Sequence, residues 1–241
     1  MEKVLVLGAS GATGRLVVQQ LLAKGANVVA IVRTLNSLSQ ETGDQNNLQI
    51  VEASISDMPE NELAHYLNEC DAVLSCLGHN LTFKGMFGDP KLLVTDAVIK
   101  ITKTIEYINP DIKVKFILMN TTGNSNRDVP EKPPFSQRFV IYILRLLLPP
   151  HVDNENAADF LRNHVGQKHK HIEWAAVRPD SLTNEENVTK YDIYSSPIRN
   201  AIFDAAPTSR INVANFMSNL VSNVDLWEKW KGQMPVIYNH A

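Results

Sequence analysis

The chain has 241 residues, a formal net charge of −3 and 20% charged side chains. That length can bury a sizeable core in one α/β domain, and the charge balance gives no electrostatic case for nucleic acid or an anionic membrane. Its two cysteines, Cys70 and Cys76, sit at a helix end and in an apolar run, so neither a disulfide framework nor a zinc pattern is expected; no metal is expected, and a reducing cytoplasm is the expected compartment.

The chain opens in an apolar run, Val4-Leu5-Val6-Leu7, which leaves no room for a signal peptide ahead of it. The run meets Gly8, and Gly11 and Gly14 follow at intervals of three. Val17, Val18, Leu21 and Leu22 then recur at helical spacing, Gly25 is placed to end the helix, and a second apolar run over 28–32 stops at Arg33. A buried strand, a glycine turn, a helix and a second parallel strand make one βαβ unit. Glycines let backbone approach a pyrophosphate, and the helix N-terminus offers unpaired N–H groups and partial positive charge. Glycines serving packing alone are the bland alternative; directly after a strand and opening a helix, the spacing predicts a dinucleotide site.

Arg33 bears on which dinucleotide. A carboxylate at this strand end would hold the ribose 2′-hydroxyl of NAD(H). Here Arg33 and Thr34 follow the strand, and no carboxylate occurs until Glu41. A guanidinium suits a 2′-phosphate through charge-assisted hydrogen bonds, and Arg15 would add a second positive group. NADP(H) is therefore expected over NAD(H), with a solvated arginine as the alternative.

Further strands are expected over 48–52, 72–76, 114–119 and 173–177, with helices over 59–68, 91–107, 136–148 and 154–164. Alternation of helices with near-continuous apolar strands predicts an α/β fold, a doubly wound parallel sheet covered on both faces. Ligands in such sheets bind beyond the carboxyl ends of the strands, which here are 8–14, 33, 54–57, 75–80, 120–123 and 178–182. The polar segment 179–210 is expected to cap the cleft, followed by a helix over 210–220 and a late edge strand over 235–238. Residues 1–241 thus read as a single domain in which 179–241 contribute a small substrate-side C-terminal lobe. The apolar stretch 140–148 contains Tyr142 and Arg145 and is about half the ~20 residues a membrane span needs. The 136–148 helix carries Phe139, Val140, Ile143, Leu144, Leu147 and Leu148, too apolar all round to face water. Core packing and a two-fold homodimer interface both remain open for it.

GASGATGRLV, the strand-end Arg33, SISD at 54–57, LSCLG at 74–78 and WAAVRPDSLT at 174–183 come in an order that resembles the atypical, or NmrA-like, short-chain dehydrogenase/reductases. More narrowly, the chain is similar to the NAD(P)H-binding group that includes biliverdin-IXβ/flavin reductases, over roughly residues 1–220. The resemblance implies that the loop opened by Gly8, with Ser10, Gly11, Ala12, Thr13 and Gly14, wraps the pyrophosphate while Arg33 holds the 2′-phosphate. It further implies Asp57 by the adenine, and Leu77 and Gly78 against the ribose. Asn120, Thr121 and Thr122 would approach the nicotinamide and substrate, with Pro179 beside the nicotinamide. Asp57 has a second reading as the cap of the helix near Pro59.

The chemistry departs from the family. Typical members use a Tyr-x-x-x-Lys pair, the tyrosine as proton donor and the lysine lowering its pKa. No tyrosine here has a lysine four residues on. Many atypical relatives keep a lysine on the helix before the sixth strand, where DNENAADFL offers Asn156 and Asp159 and has no lysine. The remaining catalytic candidates are Thr121, Thr122 and His79, the last also readable as a surface-loop histidine; His151 neighbours a helix start. His164, His169 and His171 straddle a Lys-rich turn and read as solvated loop rather than a metal site.

Hydride transfer to a flavin or quinone needs no side-chain acid, so holding donor and acceptor face to face suffices. The expected activity is NADPH-dependent reduction of a small conjugated acceptor: a flavin, a quinone or a related carbonyl. An NADP(H)-sensing regulator of NmrA type is the alternative, and a nucleotide-sugar epimerase/dehydratase-like enzyme a weaker one.

Overall fold

The first strand, β1 (Lys3–Leu7), sends Val4 and Val6 to one face of a sheet and Leu5 and Leu7 to the other, and all four are buried. Burial on both faces is why the strand reads as an unbroken apolar run. The computed structural model describes residues 1–34, 38, 46–79, 88, 91–131 and 134–240. In it β2 (Asn27–Val32), β3 (Leu48–Glu52), β4 (Ala72–Ser75), β5 (Val114–Met119) and β6 (Ile172–Pro179) all run parallel to β1. Strand β10 (Val236–Asn239) continues the sheet parallel to β6, and β8 (Tyr191–Tyr194) closes it antiparallel. The order is β3-β2-β1-β4-β5-β6-β10-β8, and β7 (Ser181–Thr183) pairs apart with β9 (Pro207–Ser209). The chain moves outward from β1 to β3, then returns to build on the other side of β1. The strand order therefore reverses between β1 and β4, and a ligand crevice belongs at their carboxyl ends.

Helix α1 (Gly14–Ala23) buries Val17, Val18, Leu21 and Leu22. It ends as the sequence implies: Ala26 N–H donates to Leu21 O, Gly25 N–H to Leu22 O, and Gly25 adopts φ +80°. It shares its face of the sheet with α6 (Arg210–Ser222) and α7 (Val224–Trp230), whose Phe216, Met217 and Trp227 join one core. The opposite core is built from α2 (Glu60–Leu67), α3 (Leu93–Ile108) and α5 (Pro149–Phe160).

Three expectations are corrected. The strand near 235–238 is not an edge, because β10 is paired on both sides and β8 takes the edge. Helix α5 begins at Pro149 rather than at 154. Its two prolines occupy the first turn, where a missing N–H costs nothing, and the helix then passes into a π-helical turn, Leu161–Val165. Finally, α4 (Phe135–Leu147) does not pack into the core: Gln137 and Ile141 are its buried residues, whereas Phe135, Phe139, Tyr142, Leu146 and Leu147 are exposed. Among the described residues no helix is long and apolar enough to cross a membrane.

Candidate dinucleotide and substrate site

The turn after β1 is shaped by what its glycines lack. Gly8 has φ +68°, and a Cβ there would stand 2.6 Å from the Cys76 carbonyl oxygen. A Cβ on Gly14 would overlap the Gly8 carbonyl, which accepts the Gly11 N–H at 3.0 Å. Two glycines thus let the loop fold onto itself and against the end of β4, leaving Gly11 and Ala12 exposed on its outer side while Thr13 is buried. Helix α1 starts at Gly14 with no side-chain cap and no carboxylate in its first turn, so no acidic residue there offsets the positive end of its dipole. That is the arrangement a diphosphate requires.

Beside the loop lies a cleft of about 270 Å³ at the switch point. Gly8, Ser10 and Gly11 form one side, Arg33 closes the end of β2, and Leu77 and Gly78 follow β4. The wall after β3 is Ala53, Ser54 and Ile55. Asp57 is exposed one turn further on, its N–H donating to Ser54 O at 3.1 Å. It does not cap α2, whose N-cap is Pro59 with no side-chain bond. Lys100 of α3 holds this segment by donating to the carbonyls of Ile55, Ser56 and Met58, a tether invisible in the sequence. Cys76 lines the cleft, but burial pushes its thiol up to about 12, so it is no thiolate nucleophile. Of the 75–80 stretch, Asn80 lies outside the described residues.

The carboxyl ends of β5 and β6 are joined by a dense polar set. Asn120 donates through Nδ2 to Asn154 O at 2.9 Å, and its Oδ1 accepts from Thr121 N–H and Asn124 Nδ2. Its amide therefore fastens the loop to α5. Thr122 N–H donates to Pro179 O at 3.1 Å, and its hydroxyl to Asp180 Oδ1 at 3.0 Å. Thr121 accepts the Gly123 N–H on Oγ1 and is only half-buried. Burial raises the Asp180 carboxyl above its ordinary range, although Ala206 N–H and the Thr122 hydroxyl pull the other way. The arginine of the R-P pair, Arg178, is fully buried: it bridges both Glu131 oxygens and donates to the carbonyls of Asn124, Met234 and Ser195. It thereby ties the segment before β10, the β5 loop and the cap together.

A second cavity, about 280 Å³, opens between Thr121, Thr122 and Gly123 on one side and Asp180, Ser181 and the cap residues Ala201 and Ile202 on the other. Its lining includes His151, from the first turn of α5. The His151 side chain is 11% exposed, and its Nε2, 3.4 Å from Glu155 Oε1, is close enough for an ion pair but not aligned as a hydrogen bond. Arg145 of α4 clamps Glu155 by donating from Nε to Oε2 at 2.8 Å and from Nη2 to Oε1 at 2.9 Å. Burial alone would raise the Glu155 carboxyl, yet His151 and Arg145 hold it down at about 2. This His-x-x-x-Glu spacing is legible in the sequence only once α5 is known to begin at Pro149.

His79 is not a surface-loop histidine. Its side chain is 4% exposed and its Nε2 lies 2.7 Å from Asp153 Oδ2. His171 is also buried, with Nδ1 3.1 Å from Pro110 O, and His169 Nε2 lies 3.0 Å from Glu106 Oε1, whereas His164, Lys168 and Lys170 are exposed. No group of three or more His, Cys, Asp or Glu side chains is placed to hold a metal among the described residues.

Comparison with known proteins gives the family and the fold. A family profile described as NAD(P)H-binding matches residues 8–224. The chain belongs to this NAD(P)H-binding family. A curated relative, an uncharacterised chloroplast protein of Arabidopsis thaliana, is 36% identical over 75 residues, 31% of this chain; the chain spans about a quarter of that protein's length, 26%. Among solved structures, a candidate NAD-dependent epimerase/dehydratase from Bacillus halodurans superposes with a TM-score of 0.71 at 23% identity, covering 100% of this chain and 95% of the other. A wide-type short-chain dehydrogenase/reductase from Veillonella parvula, in complex with NADP, gives 0.68 at 15% identity, covering 99% and 94%. A candidate NADH-flavin reductase from Streptococcus pneumoniae gives 0.63 at 17%, covering both chains completely, 100% each. At these identities the NAD(P)H-binding family and these structures share a Rossmann-like fold, a mostly parallel sheet covered by helices on both faces.

Proposed function

We propose that the chain is an NADPH-dependent reductase of a small conjugated acceptor: a flavin, a quinone or a related carbonyl. One observation carries the reading: Gly8, Ser10 and Gly11 of the glycine loop border the same cleft as Arg33, and that loop leads directly into the uncapped N-terminus of α1. Backbone N–H groups of Ser10, Ala12, Thr13 and Gly14 would hold the diphosphate, and Arg33 the 2′-phosphate. Ser54, Leu77 and Gly78 would frame the adenosine, with Asp57 at its rim. When bound, the dihydronicotinamide supplies a hydride. Thr121 and Pro179 would place the ring, and Asn120 would fix the loop that carries Thr121. His79 belongs in this reading to the support of the cleft, through Asp153.

The acceptor class follows from the second cavity and from the missing Tyr-x-x-x-Lys pair. A cavity of about 280 Å³ at the junction of the β5 and β6 loops gives room for part of a flat conjugated ring system. A flavin or quinone accepts hydride into a delocalised product anion, so a dedicated tyrosine is dispensable. The NADH-flavin reductase likeness in fold supports the same class. We place the protein in the cytoplasm as a homodimer through α4, whose exposed Phe135, Phe139, Tyr142 and Leu146 follow a 4-3-4 spacing along one stripe.

The test is absorbance at the reduced-nicotinamide band with NADPH or NADH against riboflavin, 1,4-naphthoquinone and a dicarbonyl. The reading predicts turnover with at least one acceptor and a preference for NADPH. Tight NADPH binding with no turnover on any acceptor would instead favour the NADP(H)-sensing regulator.

A further inference from the structure

The second cavity holds a group that the expected chemistry does not use. His151 stands at the start of α5, its ring against the β5 loop, so close that a Cβ on Gly123 would lie 3.4 Å from His151 Cε1. Its Nε2 is inaccessible to solvent and turned to the Glu155 carboxylate. Glu155 is 7% exposed and is itself fixed by the bidentate Arg145. A cation on α4 thus orders a carboxylate on α5, and the carboxylate orders an imidazole that borders the cavity. Asp180, after β6, is the other titratable group facing that space.

We propose that His151 is the proton donor to the acceptor in this cavity, with Glu155 and Arg145 as its positioning residues. The inference rests on the reductase reading and narrows it to acceptors reduced at oxygen, quinones and conjugated ketones. With Nε2 turned to the Glu155 carboxylate 3.4 Å away, Nδ1 is the nitrogen left to serve the substrate, the division of labour in which a buried carboxylate orients a histidine. The balance is simple. The acceptor gains a hydride from the reduced nicotinamide, at the carbonyl carbon of a ketone or at one carbonyl oxygen of a quinone, and a proton from His151 at the ketone oxygen or at the quinone's second oxygen. The Nδ1–H bond breaks, an O–H bond forms, and the neutral imidazole recovers its proton from water. Thr121, whose Oγ1 already accepts the Gly123 N–H, retains a hydroxyl proton to orient the same oxygen.

The experiment has one arm without nucleotide and one with it. Calorimetry of the free protein compares 1-naphthol, which carries an aromatic hydroxyl like a reduced quinone, with 1-methoxynaphthalene, which lacks the donor. His151→Gln and His151→Ala are expected to weaken 1-naphthol at least tenfold, to leave the methyl ether within twofold, and to leave NADPH affinity unchanged. With NADPH and 1,4-naphthoquinone, both variants are expected to lose about 100-fold or more in rate, the scale of general acid catalysis. Free imidazole is expected to restore part of the rate to His151→Ala, which a merely structural role would not allow. Equal 1-naphthol binding in wild type and variants, or undiminished naphthoquinone reduction, overturns the proposal. Loss of NADPH binding by the wild-type protein takes down the reductase reading, and with it this one, and is recognised separately because the naphthol arm needs no nucleotide.

Discussion

Asp153 Oδ2 stands 2.7 Å from His79 Nε2 and at the same time accepts the backbone N–H of Val94 at 2.8 Å. Its other oxygen takes the Thr95 N–H at 2.9 Å. A carboxylate on α5 therefore caps α3 and holds the residue that follows the Leu77-Gly78 wall of the cleft. Removing it strands two helix-end donors and takes the carboxylate away from a buried imidazole. Asp153→Ala is expected to cost about 3–5 kcal/mol and to lower Tm by roughly 10 °C, read by calorimetry or circular dichroism. Asp153→Asn keeps one acceptor and sets an amide N–H against the other donor, so its loss should be intermediate.

The glycine loop makes a sharper prediction, because its Gly14 and the Gly78 that follows β4 differ in the space around them. Replacing a helical glycine with alanine ordinarily stabilises by about 1 kcal/mol. At Gly14 the added methyl would overlap the Gly8 carbonyl, so the sign should reverse and the loop must open. Gly14→Ala is expected to lose NADPH binding at least tenfold. Gly78 lines the same cleft but has nothing within 4 Å of an added Cβ, and Gly78→Ala should fold within about 0.5 kcal/mol of wild type. Equal behaviour of the two variants would contradict the steric account.

Glu155 gives the pH dependence. Its carboxyl, held at about 2 against an ordinary 4.5, is more acidic in the folded state. A depressed folded pKa contributes stability that is complete above about 4.5 and is lost as pH falls toward about 2. Thermal melts of wild type and Glu155→Gln should therefore converge between pH 4.5 and pH 2 and be furthest apart near neutrality. A constant gap across that window would show that Glu155 titrates as it does in the unfolded chain.

Much of this molecule is legible in its sequence because doubly buried parallel strands leave unbroken apolar runs. The runs at Leu48 and Val114 begin and end where expected, and the glycine spacing with Arg33 locates the cleft. What is not legible depends on contacts between distant residues. Nothing local reveals that His79 meets Asp153 or that Lys100 ties down the loop after β3. His151 reads only as the neighbour of a helix start, because prolines are at home in a helix's first turn and nothing local shows that Pro149 opens the helix that also carries Glu155. The strand at Val236 looked terminal because it is last in the chain, whereas the sheet orders strands by topology rather than by sequence.

The apolar stripe on α4 predicts self-association. Wild-type protein at tens of micromolar should sediment as a dimer, and Phe139→Asp, at a position 56% exposed in the single chain, should sediment as a folded monomer. A monomeric wild type would remove α4 as a two-fold interface.

The central claim is that the α1 mouth and Arg33 together hold NADP(H), and titration calorimetry tests it most directly. Wild type should bind NADPH more tightly than NADH, and Arg33→Ala should weaken NADPH at least tenfold while leaving NADH within about twofold, the loss of one charge-assisted phosphate contact. No heat with either coenzyme, or an equal loss of both on removing Arg33, would contradict the account.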